Sequence, residues 1–170
     1  LGQLRRADAL ILTKGQRGVN IINLGKRFMN LSKDIPRFAV RYEPESILVW
    51  GQPETLSPRE LERKKVLAFC GLAKPESFLK TLEGLRAEIL LFERFPDHFS
   101  YGESDLRRIR DLAGRAGAGA IVTTEKDMVR LKDFPPGPIP LWALSVRHVF
   151  EGEDESRFEA FLLGRLGHKA

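Results

Sequence analysis

Cysteine is all but missing: the 170 residues hold one, Cys70, inside an apolar run. A lone thiol excludes an internal disulfide and argues against a cysteine-based metal site, which suits a reducing compartment. Histidine is nearly as scarce. The three, His98, His148 and His168, lie in separate segments, so none pairs with another at zinc-ligand spacing. No apolar run approaches the roughly 20 residues that cross a bilayer. The phosphate-binding pattern G-x-x-x-x-G-K-[ST] does not occur, and internal repeats and low-complexity tracts are absent too.

What is present is a globular composition, with 42% hydrophobic residues in a length that suits one domain or one and a fraction. The net charge of +5 favours an anionic partner without choosing one. Nucleic acid is not indicated, because the basic residues are dispersed and no aromatic stacking platform is legible. The chain opens on Leu1, and residues 4–13 read as a helix end running straight into a strand. The expectation is a fragment whose upstream neighbour is missing.

Residues 9–13 form a short apolar run of buried-strand type, and residues 14–18 a polar turn. In residues 19–31, Ile21, Leu24, Phe28 and Leu31 fall at helical spacing; a core helix or a membrane-surface helix both fit. Residues 37–42 and 47–50 look extended, with a break expected at Glu43-Pro44-Glu45 because proline removes a ladder donor. Ser57-Pro58-Arg59-Glu60 has the chemistry of a helix start.

A regular alternation follows. Residues 66–70 read as a buried strand, Gly71 as its turn, and Pro75 as the opening of a helix with Phe78, Leu79, Leu82 and Leu85 on one side. Residues 88–92 are a second strand, and Leu106, Ile109, Leu112, Ala113 and Ala116 make the stripe of the next helix. Residues 120–123 and 124–131 give a third strand and a short helix. A proline-rich connector, residues 134–140, leads to a strand at 141–146 and a helix at 156–166 with Phe158, Phe161, Leu162 and Leu166 inward. This order predicts α/β architecture: a small, mostly parallel sheet flanked by helices and built from right-handed βαβ units.

Two loop clusters carry the reactive side chains. In Phe95-Pro96-Asp97-His98-Phe99-Ser100-Tyr101, an imidazole sits beside a carboxylate and near a phenol. Catalysis is one reading of His98; helix capping or loop packing is the other. In Thr123-Thr124-Glu125-Lys126-Asp127, a strand end opens a helix, where backbone N–H groups, hydroxyls and a lysine suit a phosphate. Thr124 as N-cap with Asp127 three residues on accounts for the same residues. Gly71-Leu72-Ala73-Lys74-Pro75 is read first as a structural turn. Both clusters are expected on one sheet edge, where such folds place their sites.

These two clusters, the run at residues 66–78, the segment 123–131 as a whole and the opening Leu4-Arg5-Arg6-Ala7-Asp8-Ala9 together resemble the C-terminal half of the tetraacyldisaccharide 4′-kinase family, in order and spacing from about Leu4 to Val146. The resemblance implies an enzyme of lipid A biosynthesis in Gram-negative bacteria, moving the γ-phosphate of ATP to the 4′-hydroxyl of a tetraacylated glucosamine disaccharide 1-phosphate to give lipid IVA. It implies ATP and Mg²⁺ as cofactors, bound mainly by an N-terminal P-loop domain, and a peripheral place at the cytoplasmic face of the inner membrane. It also implies a two-stranded hinge, for which residues 41–50 and 141–147 are the candidates.

By the same resemblance His98 assists a catalytic aspartate supplied by the first domain, and Asp97 holds His98 or helps place the substrate. Thr123, Thr124, Glu125 and Lys126 face the nucleotide, and no metal ligand lies in this chain. The domains expected are 1–40, tail of the kinase domain; 41–64, hinge strand and linker; 65–133, the α/β domain; 134–150, the returning strand; and 151–170, a terminal helix. With the P-loop and its aspartate elsewhere, the chain alone is expected to be inactive. The alternative, read from composition and fold, is a basic α/β module that binds a nucleotide or acidic ligand without catalysis.

Overall fold

In the computed structural model, residues 7–14 and 35–167 are described. The expected turn at 14–18, nearly all of it, the helix at 19–31, most of the opening segment 4–9 and His168 lie outside these residues. The strands are β1 (Leu10–Lys14), β2 (Arg37–Val49), β3 (Thr55–Leu56), β4 (Lys65–Cys70), β5 (Glu88–Arg94), β6 (Ala120–Thr124) and β7 (Leu141–Phe150). The helices are α1 (Pro75–Gly84), α2 (Glu103–Ala116), α3 (Glu125–Met128) and α4 (Asp154–Leu166). Hydrogen-bonded neighbours follow the order β1-β2-β7-β6-β4-β5, with β3 also on β2. The β1–β2, β4–β5, β4–β6 and β6–β7 pairs are parallel and β2–β3 is antiparallel, so the architecture is α/β with a mostly parallel sheet.

The chain divides into two compact units, Pro44–Val146 and the pair of segments Leu1–Glu43 with Arg147–Ala170. β2 and β7 are the two strands that both units share.

Within Pro44–Val146 the sheet is covered on both faces, and strand alternation shows how. In β4, Val66, Ala68 and Cys70 join a core with Phe78 and Leu82 of α1, while Leu67 and Phe69 join another with Leu106, Ile109 and Ala113 of α2. β6 and β7 divide the same way: Ala120, Val122, Trp142 and Leu144 toward α1, Ile121, Leu141 and Ala143 toward α2. Side chains that alternate between two buried faces produce the near-continuous apolar runs seen in the sequence. Each fully buried side chain of this size contributes about 1.5–3 kcal/mol.

Capping chemistry fixes the helix starts and stops. Pro75 opens α1, the Asp105 carboxylate accepts from the Gly102 N–H ahead of α2, and Gly117 ends α2 at φ +70°, where a side chain would be strained. Ser57 caps a 3₁₀ turn, Pro58–Leu61, by accepting from the Arg59 N–H.

Three expectations change. β2 runs unbroken through Glu43-Pro44-Glu45. Its edge is paired with β1 up to Arg41 and with β3 from Ile47, so a proline between them removes no bond to either strand. α3 stops at Met128 instead of reaching Leu131, because Arg130 and Leu131 bond back three residues in tight turns. On α4, Phe158 and Phe161 pack against Phe38, but Leu162 and Leu166, expected inward, are 41% and 69% exposed.

In the unit that holds α4, the Asp154 carboxylate accepts from the Ala39 N–H at 2.7 Å, and Phe150 stacks on Phe158 at 5.1 Å.

Candidate functional site

The site lies within Pro44–Val146, where the connections after β4, β5 and β6 converge. β4 lies between β5 and β6, and the chain leaves β4 toward β5 but leaves β6 toward β7. The carboxyl ends of β4 and β6 therefore flank a topological switch point, the usual place for a crevice in such sheets.

Three connections meet at Gly71, directly after β4. Its N–H donates to Asp127 Oδ2 at 3.1 Å, and the Cys70 carbonyl accepts from the Phe95 N–H at 2.9 Å. A Cβ on Gly71 would sit 3.1 Å from each of Asp127 Oδ1, the Pro96 carbonyl and the Tyr101 hydroxyl. Glycine is favoured there by close approach of three oxygens, not by its φ.

The loop after β5 is held by aromatic rings. Phe95 meets Phe99 and Tyr101 at 4.8 and 5.0 Å, and Tyr101 meets Phe69 of the core at 5.5 Å. Such pairs are worth about 0.5–1.5 kcal/mol each beyond burial. Anchored this way, the loop lifts Asp97 and His98 into solvent on a turn closed by the Phe99 N–H and the Pro96 carbonyl. His98 has φ +61°, a conformation that costs a non-glycine residue about 1–2 kcal/mol.

Asp97 Oδ1 accepts from the His98 N–H and from Lys126 Nζ, both at 3.0 Å. The lysine bond, more than any other contact, holds the Asp97 carboxyl below the usual aspartate range. The His98 ring does not bond Asp97, since Nε2 is 3.8 Å from Oδ2. It contacts Arg130 instead, with Nη2 to Nδ1 at 2.7 Å. The ring's hydrogen-bond contact is thus with a residue three positions beyond Asp127 and not with Asp97.

The cluster at residues 123–127 is committed internally. Thr123 is fully buried, which turns it away from any external ligand. Thr124 Oγ1 accepts from the Asp127 N–H and donates to Asp127 Oδ2 at 2.7 Å, so the N-cap reading holds. Glu125 accepts from Ser145 at 2.7 Å and Lys126 is bonded to Asp97. α3 has only four residues, too short for a helix dipole to gather a phosphate. Thr124, Glu125 and Lys126 each have a partner within the chain, while the buried Thr123 hydroxyl has no hydrogen bond among the described residues. No group of three or more His, Cys, Asp or Glu side chains among the described residues is placed to hold a metal ion.

Asp127 is fully buried, and the buried Tyr101 hydroxyl lies beside its carboxylate, near enough to interact with it but outside good hydrogen-bond geometry. Burial, and then the adjacent Asp127 carboxylate, push the Tyr101 phenol well above the usual tyrosine range. Burial likewise pushes the Cys70 thiol up to about 11, which makes it inert. Sequence reasoning missed the Gly71–Asp127 bond and the Arg130–His98 contact. The first had a signal, a glycine at the end of a buried strand; the second links residues 32 positions apart and had none.

Comparisons with known proteins point to one family. The family model for tetraacyldisaccharide-1-P 4′-kinase matches residues 1–167. A tetraacyldisaccharide 4′-kinase of Desulfatibacillum aliphaticivorans is 34% identical over 169 residues, covering 95% of this chain and 44% of the relative. That of Rhodospirillum rubrum is 37% identical over 168 residues, covering 96% and 45%. Among solved structures, LpxK from Aquifex aeolicus in complex with ATP aligns with a TM-score of 0.58 at 24% identity, over 95% of this chain and 43% of that one. The chain spans less than half the length of each of these relatives. With the family model matched from residue 1 to residue 167, the chain belongs to the tetraacyldisaccharide-1-phosphate 4′-kinase family.

Proposed function

We propose that this chain is the C-terminal part of an ATP-dependent kinase that phosphorylates the 4′-hydroxyl of a tetraacylated glucosamine disaccharide 1-phosphate, giving lipid IVA. The observation that carries the reading is the family match along residues 1–167, within which the Asp97-His98 turn stands exposed at the switch point. The relatives are more than twice as long, and the additional length is where the reading puts the P-loop, the Mg²⁺ ligand and the catalytic aspartate. ATP, when bound, supplies the phosphoryl group, and in this reading its grip comes mainly from that other part, since Thr124, Glu125 and Lys126 each already bond within the chain.

The chain's own contribution is positional. His98 presents its ring from a rigid turn and orients the aspartate that activates the sugar hydroxyl. Among the described residues no helix is long and apolar enough to cross a membrane. A lipid acceptor calls for peripheral contact, which the reading places at the cytoplasmic face of the inner membrane.

The test is a phosphoryl-transfer assay with ATP, Mg²⁺ and the lipid disaccharide, run on this chain alone and on this chain joined to its upstream sequence. Turnover in the joined protein only is the expected result. Activity in neither would leave a non-catalytic α/β binding module as the better account. In the active protein, His98→Ala should lower kcat more than it raises KM for ATP, since its work lies in the transition state.

A further inference from the structure

We propose that Arg130 is a positioning residue that fixes the tautomer of His98, placing the imidazole proton on Nε2 and leaving that N–H as a donor for an incoming oxygen acceptor. The inference rests on the kinase reading only for its effect on turnover; the tautomer follows from the geometry of this chain.

A guanidinium keeps all its protons and has no lone pair, so in any hydrogen bond it donates. Arg130 Nη2 lies 2.7 Å from His98 Nδ1, which therefore accepts and carries no proton. In a neutral imidazole the remaining proton then belongs to Nε2, since the bond made by one ring nitrogen sets the state of the other. Among the described residues Nε2 has no hydrogen bond of its own: Asp97 Oδ2 is 3.8 Å away, and the other oxygen of that carboxylate is taken by Lys126 and the His98 N–H. The His98 side chain is 71% exposed, so the Nε2–H can reach an acceptor arriving from outside the chain.

Arg130 is well placed to hold this geometry. Its N–H donates to the Asp127 carbonyl, which fixes its backbone to the end of α3. Its other terminal nitrogen, Nη1, is buried without a hydrogen bond among the described residues, so the guanidinium has one end inside the protein and its side-chain hydrogen bond on the histidine. Its positive charge also reaches Tyr101 and opposes the upward push of the Asp127 carboxylate there. Lys126 and Arg130 thus divide the exposed pair between them, the first restraining Asp97 and the second His98. Two cations from one short segment set both members of a motif 29 and 32 residues earlier in the chain.

The test is nitrogen NMR of the His98 ring, in the chain labelled with ¹⁵N-histidine and held above the range in which imidazole titrates, with His98→Gln to assign the signals. Expected is an unprotonated, hydrogen-bonded Nδ1 and a protonated Nε2. In Arg130→Met the two shifts move toward the tautomer mixture of an untethered imidazole, and Arg130→Lys, which keeps a donor, restores part of the original pattern. A protonated Nδ1 in the unmodified chain would overturn the proposal and needs no variant to be seen. So would unchanged His98 signals in Arg130→Met when its amide spectrum superimposes on the original.

In the joined protein, Arg130→Met is expected to lower kcat by about tenfold, below the ~10²–10⁴ that a placed proton-transfer group contributes in full, with KM for ATP little changed. Added to His98→Ala it should cost nothing more, because its effect passes through the ring. A joined protein without activity would defeat the kinase reading and leave the tautomer result standing.

Discussion

The unit Pro44–Val146 and the unit formed by the two ends of the chain solve the burial of a helix differently. In the first, α1 buries Phe78 and Leu82 and α2 buries Leu106, Ile109 and Ala113 against opposite faces of the strands. In the second, α4 buries no residue completely, and its attachments among the described residues are aromatic pairs to Phe38 and Phe150, Arg157 over the Phe38 ring, an Arg165–Asp8 ion pair and one carboxylate on the Ala39 N–H. A helix anchored by area tolerates loss of a surface bond. A helix anchored at a few points depends on each of them.

The largest expected effect tests the first half of that contrast. Leu82→Ala removes a fully buried side chain and should destabilise Pro44–Val146 by about 2–5 kcal/mol. Leu163→Ala, at a position 70% exposed, should change stability by less than about 0.5 kcal/mol. Urea unfolding followed by labelling of the buried Cys70 thiol reads the opening of this unit directly. Equal midpoints for the two variants would dissolve the distinction.

Next in size is Asp154→Ala, which leaves the buried Ala39 N–H without its carboxylate acceptor, a loss of about 1–3 kcal/mol. Faster hydrogen exchange at Ala39, with the core amides of β4 unaltered, is the expected signature. An unchanged Ala39 amide would show that α4 is secured elsewhere.

The smallest effect concerns acid. Asp97 titrates below its ordinary value chiefly because Lys126 donates to it, so the contribution of that bond to stability is complete above the ordinary aspartate range, about 3.9. It fades as pH falls through the lowered value. Lys126→Met should move the Asp97 titration up toward the ordinary value, as followed by its carboxyl carbon shift. A midpoint that stays put would remove Lys126 as the cause.

Much of the first unit was legible because its signals are local. Alternating apolar runs gave the strands, Pro75 and the Leu106-to-Ala116 stripe gave the helices, and Thr124 gave its own cap. The misjudged places depend on neighbours: Pro44 is tolerated because its edge of β2 pairs above and below it, and Leu166 is exposed although its spacing suited a core. The site was legible as two clusters but not as a circuit. Residue types announced His98 and Asp97; which cation serves which of them depends on where β6 ends relative to β5, and no local pattern records that.

Gly71 carries a last consequence, for the order in which the protein assembles. Its bond to Asp127 closes a loop of 56 residues, and it ties the turn after β4 to the segment that supplies Lys126 and Arg130. Contacts at such separation form late, after local helices and hairpins. A chain still emerging, or one cut before β6, has β4, α1 and β5 in hand and even the aromatic turn that displays His98. It lacks Lys126 and Arg130, the two cations that contact Asp97 and His98, so the full set of contacts at this edge comes only with one of the longest-range contacts of the unit.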